Sequence, residues 1–181
     1  FALDNYRFRR CKEESMTAMG YATKKILDFA RGKSQLLISE LCEEIVHEFL
    51  PKKMFPGMKR RVEEHQTIGH DTWIVSASPI EIASIVANRL NMTGAVATTG
   101  EVIQGNYSGN LPGGTMHGIN KAHAVRALAA TRDYDLRTSF AYSDSINDLP
   151  LLVSVGNPFI VNPNKHLENV ALKNRWPILT H

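Results

Sequence analysis

Over the first fifty residues the apolar positions keep helical spacing, with Leu37, Leu41, Ile45 and Phe49 falling four apart and no alternating run between them. Gly32 breaks one helix, Ser34 is placed to cap the next, and Pro51 with Pro56 closes the segment. This predicts a small helical module over residues 1–55. Beyond Pro56 helices and strands alternate: a helix over 57–66, a stop at Gly69, and a strand over 72–75. Ser78-Pro79-Ile80-Glu81 has the form of a capping box with proline at the first helical position, opening a helix that runs to about Leu90. Residues 95–98, 101–103 and 107–111, separated by Gly100, Gly105-Asn106 and Gly109-Asn110, predict short antiparallel strands or a hairpin flap. Asn120 is placed to cap a helix running to about Thr131. A strand over 139–142, a short helix, a strand over 159–161, a helix over 166–173 and a short strand over 177–179 complete the pattern.

The predicted class is α/β. At 181 residues and 43% hydrophobic content the chain is long and apolar enough for one real core. No apolar run approaches the roughly 20 residues that span a bilayer, and the first residues do not form a basic, apolar, small-residue signal in that order. No membrane association and a cytoplasmic location are therefore expected. Cys11 and Cys42 could form at most one bridge, so buried or idle thiols are expected rather than a disulfide framework. The net charge of +3 is small. Its one cluster, Arg7, Arg9, Arg10 and Lys12, lacks the interleaved aromatics of a nucleic-acid stripe and is taken as a solvated helix face.

Candidate chemistry gathers at three places. In Tyr142-Ser143-Asp144-Ser145-Ile146-Asn147-Asp148, Asp144 follows an apolar strand at its carboxyl end, where open α/β sheets place their ligands. Asp148 comes four residues later, a spacing that lets the two carboxylates share a hard cation such as magnesium if a helix starts at Asp144 or Ser145; the same acids also serve as ordinary helix caps. Ser76 follows Trp73-Ile74-Val75 and precedes a helix, so its hydroxyl and the Ala77 amide are placed to meet an anion, or simply to form a turn. Lys121, in the first turn of a helix, opposes the helix dipole and calls for a nearby negative charge unless it is merely exposed. Donors, a point charge and metal ligands are together what phosphoryl transfer needs. The seven histidines show no zinc spacing and are expected to be structural or exposed, with His117 the one placed to line the site. Trp73 and Trp176 are expected in the core.

With these residues the chain resembles the haloacid dehalogenase superfamily, in its phosphoserine-phosphatase-like branch. Trp73 to Pro79 is similar to that family's second motif, Lys121 in Gly118-Ile119-Asn120-Lys121 to its third, and Tyr142 to Pro150 to its fourth. The resemblance implies a Rossmann-like three-layer α/β/α core with a parallel sheet, a β-hairpin flap and an α-helical cap. It implies a magnesium-dependent phosphomonoesterase working through an aspartyl-phosphate intermediate on a small phosphorylated metabolite such as phosphoserine. Asp144 would coordinate the metal and Asp148 support it, Ser76, Ala77 and Lys121 would bind the phosphoryl group, and Asn147 would orient it.

The chain departs from that pattern at the start. Family members open with a buried strand ending in Asp-x-Asp-x-Thr, whose first Asp is the nucleophile. Phe1-Ala2-Leu3-Asp4-Asn5 lacks it, having Ala2 at that place and no motif Thr downstream. Residues 1–55 are therefore placed in the cap and 56–181 in a core missing its first strand. That strand is expected from a segment upstream, cleaved and retained, or supplied by another chain, since without it two sheet edges and an open slot remain. The supplied residues alone are expected to be inactive. The rival expectation is a non-catalytic phosphate-binding or regulatory domain.

Overall fold

A computed structural model describes residues 20–180; the Arg7–Lys12 basic cluster, Cys11 and the Phe1–Asn5 segment lie outside the described residues. The helical module consists of α1 (residues 20–30) and α2 (Gln35–Lys53). Ser34 caps α2 as expected, its hydroxyl accepting the Leu37 N–H at 3.2 Å. The helix runs through Pro51 rather than ending there, although the proline has no N–H to give the ladder, and Lys52 and Lys53 favour the negative helix end.

The spacing of four holds in α2, but the buried face is one residue over. Ile38, Cys42 and Val46 face inward, and Leu37, Ile45 and Phe49 are more than 40% exposed. The partner decides this: α2 lies against α4, where Ile82, Ile85 and Val86 join Tyr107 in one cluster with Ile38, Cys42 and Val46. Cys42 is a free thiol, and burial followed by the charge of Glu81 pushes its pKa up.

After α3 (Pro56–Thr67), with proline at its start, comes a βαβ unit: β1 (Trp73–Pro79), α4 (Ile80–Arg89) and β2 (Gly94–Thr98). β1 and β2 pair in parallel from Trp73 with Gly94 to Ser76 with Ala97. The segment 95–98 thus belongs to the parallel layer and not to the flap. Gly94 is required there, since a Cβ on it would lie 2.6 Å from the Trp73 ring. The flap is reduced to β3 (Val102–Ile103) and β4 (Asn106–Tyr107), joined by Gln104 and Gly105 with φ of 49° and 80°, the signs of a type I′ turn. The expected capping box is also absent. Pro79 stands at the cap, Ser78 turns toward Ser76, and Glu81 accepts the Tyr107 hydroxyl instead.

α5 (Ile119–Arg132) leads to β5 (Phe140–Ser143), a 3-10 turn (Ile146–Asp148), α6 (Leu149–Leu152), β6 (Asn157–Val161), α7 (Lys165–Asn174) and β7 (Ile178–Leu179). β5, β6 and β7 form a second parallel sheet. Its core is Leu152, Ile160, Leu167 and Ala171, all at 0% exposure, and Val75 of β1, Val125 of α5 and the half-buried Trp176 pack against it. Among the described residues β1 pairs with β2 alone and β5 with β6 alone, so β1 and β5 are each an edge strand of their sheet.

Candidate functional site

The carboxyl ends of the parallel strands carry the residues singled out above, as open α/β sheets require. At the end of β1 the Ser76 and Ser78 hydroxyl oxygens lie 2.6 Å apart, and the Ser78 N–H donates to Ser76 Oγ at 3.1 Å. The ladder with β2 shifts between Ser76 and Pro79, which frees the Ala77–Ser78 turn from regular pairing.

Lys121 is the third residue of α5 and is 8% exposed. Gly118 makes its position possible: with φ 55° and ψ −122° it starts the helix in a conformation open essentially to glycine. A Cβ there would sit 3.9 Å from the Asn147 carbonyl oxygen, so the start of α5 runs beside the turn after β5. Asn120 does not cap the helix; its side chain reaches back to the Thr115 carbonyl at 2.9 Å. His117 is half-buried, and its backbone closes the preceding turn through its N–H to Thr115 O at 2.8 Å.

The negative charge that Lys121 calls for is Asp148. Lys121 Nζ lies 2.7 Å from Asp148 Oδ1, with both side chains about nine-tenths buried. Asp148 Oδ2 accepts the Ser143 hydroxyl at 2.8 Å, and Ser143 Oγ in turn accepts the Ser145 N–H at 3.0 Å. Both oxygens of the carboxylate are therefore engaged. Ser145 caps the 3-10 turn by accepting the Asn147 N–H at 3.2 Å. Asp144 lies ahead of that turn, so the one-face argument from a four-residue helical spacing does not apply to it and Asp148. Asp144 is exposed and makes no hydrogen bond or ion pair among the described residues.

Magnesium takes oxygen ligands, and the Asp144 carboxylate at a strand end is of that kind. The donor set is incomplete in number, however: no three His, Cys, Asp or Glu side chains gather to hold a metal among the described residues. Ser76, Ala77, Lys121, Asp144, Asn147 and Asp148 all stand on the same strand ends and adjoining turns, but they meet as an ion pair and a serine turn. Ser143 and Thr98 escaped the sequence reading. Ser143 had one signal, a polar residue on the buried side of a strand beside Ala141; Thr98, at the end of β2, had none.

The parallel α/β core with its candidate residues at the strand ends is the architecture of α/β enzymes that place their ligands there. The sequence matches the haloacid dehalogenase-like hydrolases over residues 3–153, and the chain belongs to that family. It is 36% identical over 172 residues to a phosphoserine phosphatase of Mycobacterium tuberculosis, covering 95% of this chain and 56% of that one. With a histidinol-phosphatase of Neisseria meningitidis it shares 31% identity over 146 residues, 78% of this chain and 66% of that one. The chain thus spans little more than half the length of the first of these relatives. A structure from Bordetella pertussis of unknown function superposes with a TM-score of 0.81 at 23% identity, covering 94% of this chain and 81% of that one, which supports the fold. No helix among the described residues is long and apolar enough to cross a membrane.

Proposed function

We propose that this chain is the larger part of a phosphomonoesterase acting on a small phosphorylated metabolite in the cytoplasm. The observation that carries the reading is the buried Lys121–Asp148 pair, whose lysine stands on a helix that contacts β1, the strand ending in the Ser76–Ala77 turn. A lysine held by a carboxylate has a fixed position, and a fixed cation next to hydroxyl and amide donors lowers the energy of charge that develops on a phosphoryl group. Ser76, the Ala77 amide and Lys121 bind that group. Asn147 orients it from the turn after β5. Asp144 would hold magnesium, which when bound would neutralise phosphate charge.

The nucleophile belongs to a strand that fills the space between the free edges of β1 and β5. Such a strand joins the two parallel sheets into one and brings an aspartate to the carboxyl end, where an aspartyl-phosphate forms and is hydrolysed. The relatives' names point to different substrates, phosphoserine in one case and histidinol phosphate in the other. Both are phosphate esters of a primary alcohol beside an amine-bearing carbon, and a small metabolite of that class, such as phosphoserine, is the substrate assigned here. The helical module selects the leaving group.

The test is phosphate release by the full-length protein from an aryl phosphate and from a panel that includes phosphoserine and histidinol phosphate, with and without magnesium. Turnover that needs magnesium and falls at least about a hundredfold in Asp144→Asn is expected. Phosphate binding without turnover on any ester would replace the enzyme with a binding domain.

A further inference from the structure

We propose that Thr98 is a positioning residue that sets the spacing between the phosphate donors on β1 and Lys121 on α5; this rests on the reading of the site as a phosphoryl-binding one. Thr98 ends β2, the strand next to β1. Its hydroxyl donates to the Ala77 carbonyl at 2.8 Å and accepts the Met116 N–H at 3.0 Å. With its one hydrogen committed to Ala77, the oxygen is left to receive Met116, so both bonds have a fixed sense.

Each partner leads to a different part of the site. The Ala77–Ser78 peptide lies where the β1–β2 ladder shifts, so strand pairing does not orient it. It is held instead from both sides, by Thr98 on its carbonyl and by Ser76 Oγ on its N–H at 3.1 Å. Ala77 sits between that pinned peptide and Ser76, which is still in register with Ala97, so the direction of its amide is set. Met116 stands two residues before Gly118, which starts the helix carrying Lys121. One hydroxyl therefore ties the serine turn to the connection that delivers the lysine. Neither strand pairing nor the Lys121–Asp148 pair makes that link, since the pair joins α5 to the turn after β5. Small displacements of oriented charge cost rate steeply, so a strut of this kind acts on binding as well as on stability.

The neighbouring Thr99 supplies a control within the same segment. Among the described residues its hydroxyl bonds only the nearby Ala97 carbonyl, at 3.3 Å, and reaches neither part of the site.

The experiment uses the full-length protein with p-nitrophenyl phosphate as substrate and inorganic phosphate as competing ligand. Thr98→Val keeps the shape and removes the hydroxyl. It is expected to raise both the KM and the phosphate inhibition constant about tenfold. Thr98→Ser restores both, and Thr99→Val leaves both unchanged. Amide hydrogen exchange at Met116 accelerates in Thr98→Val and recovers in Thr98→Ser, a readout that does not depend on turnover. An unchanged phosphate constant in Thr98→Val, or failure of Thr98→Ser to restore it, overturns the positioning role. A wild-type protein that neither hydrolyses the ester nor binds phosphate overturns the functional reading instead, and the Met116 exchange rate then decides alone whether the strut exists.

Discussion

The two hydrophobic clusters of the molecule are built to different standards. Around β5 and β6, Leu152, Ile160, Leu167 and Ala171 are wholly buried, and a lysine and an aspartate sit beside them nine-tenths out of water. Around α2, the best-buried side chain is Val46 at 3%, while Leu36, Ile45 and Phe49 of the same helix remain largely in solvent. Charges can be held in place only where the surrounding packing is tight, because a buried ion pair repays its desolvation only in good geometry. The tight cluster therefore accompanies the fixed chemistry. The looser one accompanies the helical module assigned to leaving-group choice, whose outer face bears on few contacts and is free to differ.

Breaking the ion pair tests this contrast most severely. Lys121→Met leaves the Asp148 carboxylate buried with only Ser143 on it, and should cost about 3–5 kcal/mol in urea unfolding. Phosphate release should fall by at least about a hundredfold, as when one oriented donor is removed from a developing oxyanion. The double variant Lys121→Met with Asp148→Leu should recover most of the stability and none of the activity. If activity returned with stability, the pair would be structural and the site would lie elsewhere.

Truncations compare the clusters directly. Leu152→Ala empties a site at 0% exposure and should cost about 2–5 kcal/mol. Ile38→Val, in the helical cluster, should cost about 0.5–1.5 kcal/mol. Phe49→Ala, at 48% exposure, should change stability by no more than about 0.5 kcal/mol. Unfolding midpoints give all three. A large loss from Phe49→Ala would mean that the face bearing Ile45 and Phe49 is covered in the full-length protein.

The order of elements, and the placing of the candidate residues at strand ends and helix starts, could be read from the chain because both depend on local pattern. Ser34 capped its helix, and Ser76, Lys121 and Asp148 were found through their places next to strands and helix starts. What could not be read depends on partners distant in sequence. The inward face of α2 is chosen by α4 and Tyr107, so Ile38, Cys42 and Val46 displaced the stripe that periodicity alone predicted. Residues 95–98 have hairpin-like neighbours but pair with β1, twenty residues earlier. Ser78 and Asn120 are favoured caps, yet each bonds a neighbour upstream instead, Ser76 in one case and the Thr115 carbonyl in the other, a choice that cap preference does not resolve. Lys121 called for a nearby negative charge, and the structure places Asp148 there, a residue far along the chain that no local pattern pairs with it.

The smallest effect concerns the side of β5 turned away from Ser143. There His65 Nε2 lies 2.8 Å from the Tyr142 hydroxyl, and His65 Nδ1 lies 2.9 Å from His70 Nδ1. A single hydrogen serves the contact between the two Nδ1 atoms, so the arrangement needs at least one neutral ring there. Burial lowers the pKa of His65 below its ordinary value of 6.5, and the charges of His70 and Arg61 lower it further while Glu64 opposes them. The folded state thus binds the proton less readily than the unfolded one. The stability this contributes is present above pH 6.5 and is lost as pH falls through the lower folded value. The urea midpoint should therefore decline on the acid side of that point. His65→Phe keeps the ring in contact with Phe140 and Tyr142 while removing the titration, and should flatten the decline. Because His65 reaches β5 through Tyr142, a slope that survived in His65→Phe would place the acid sensitivity outside this contact.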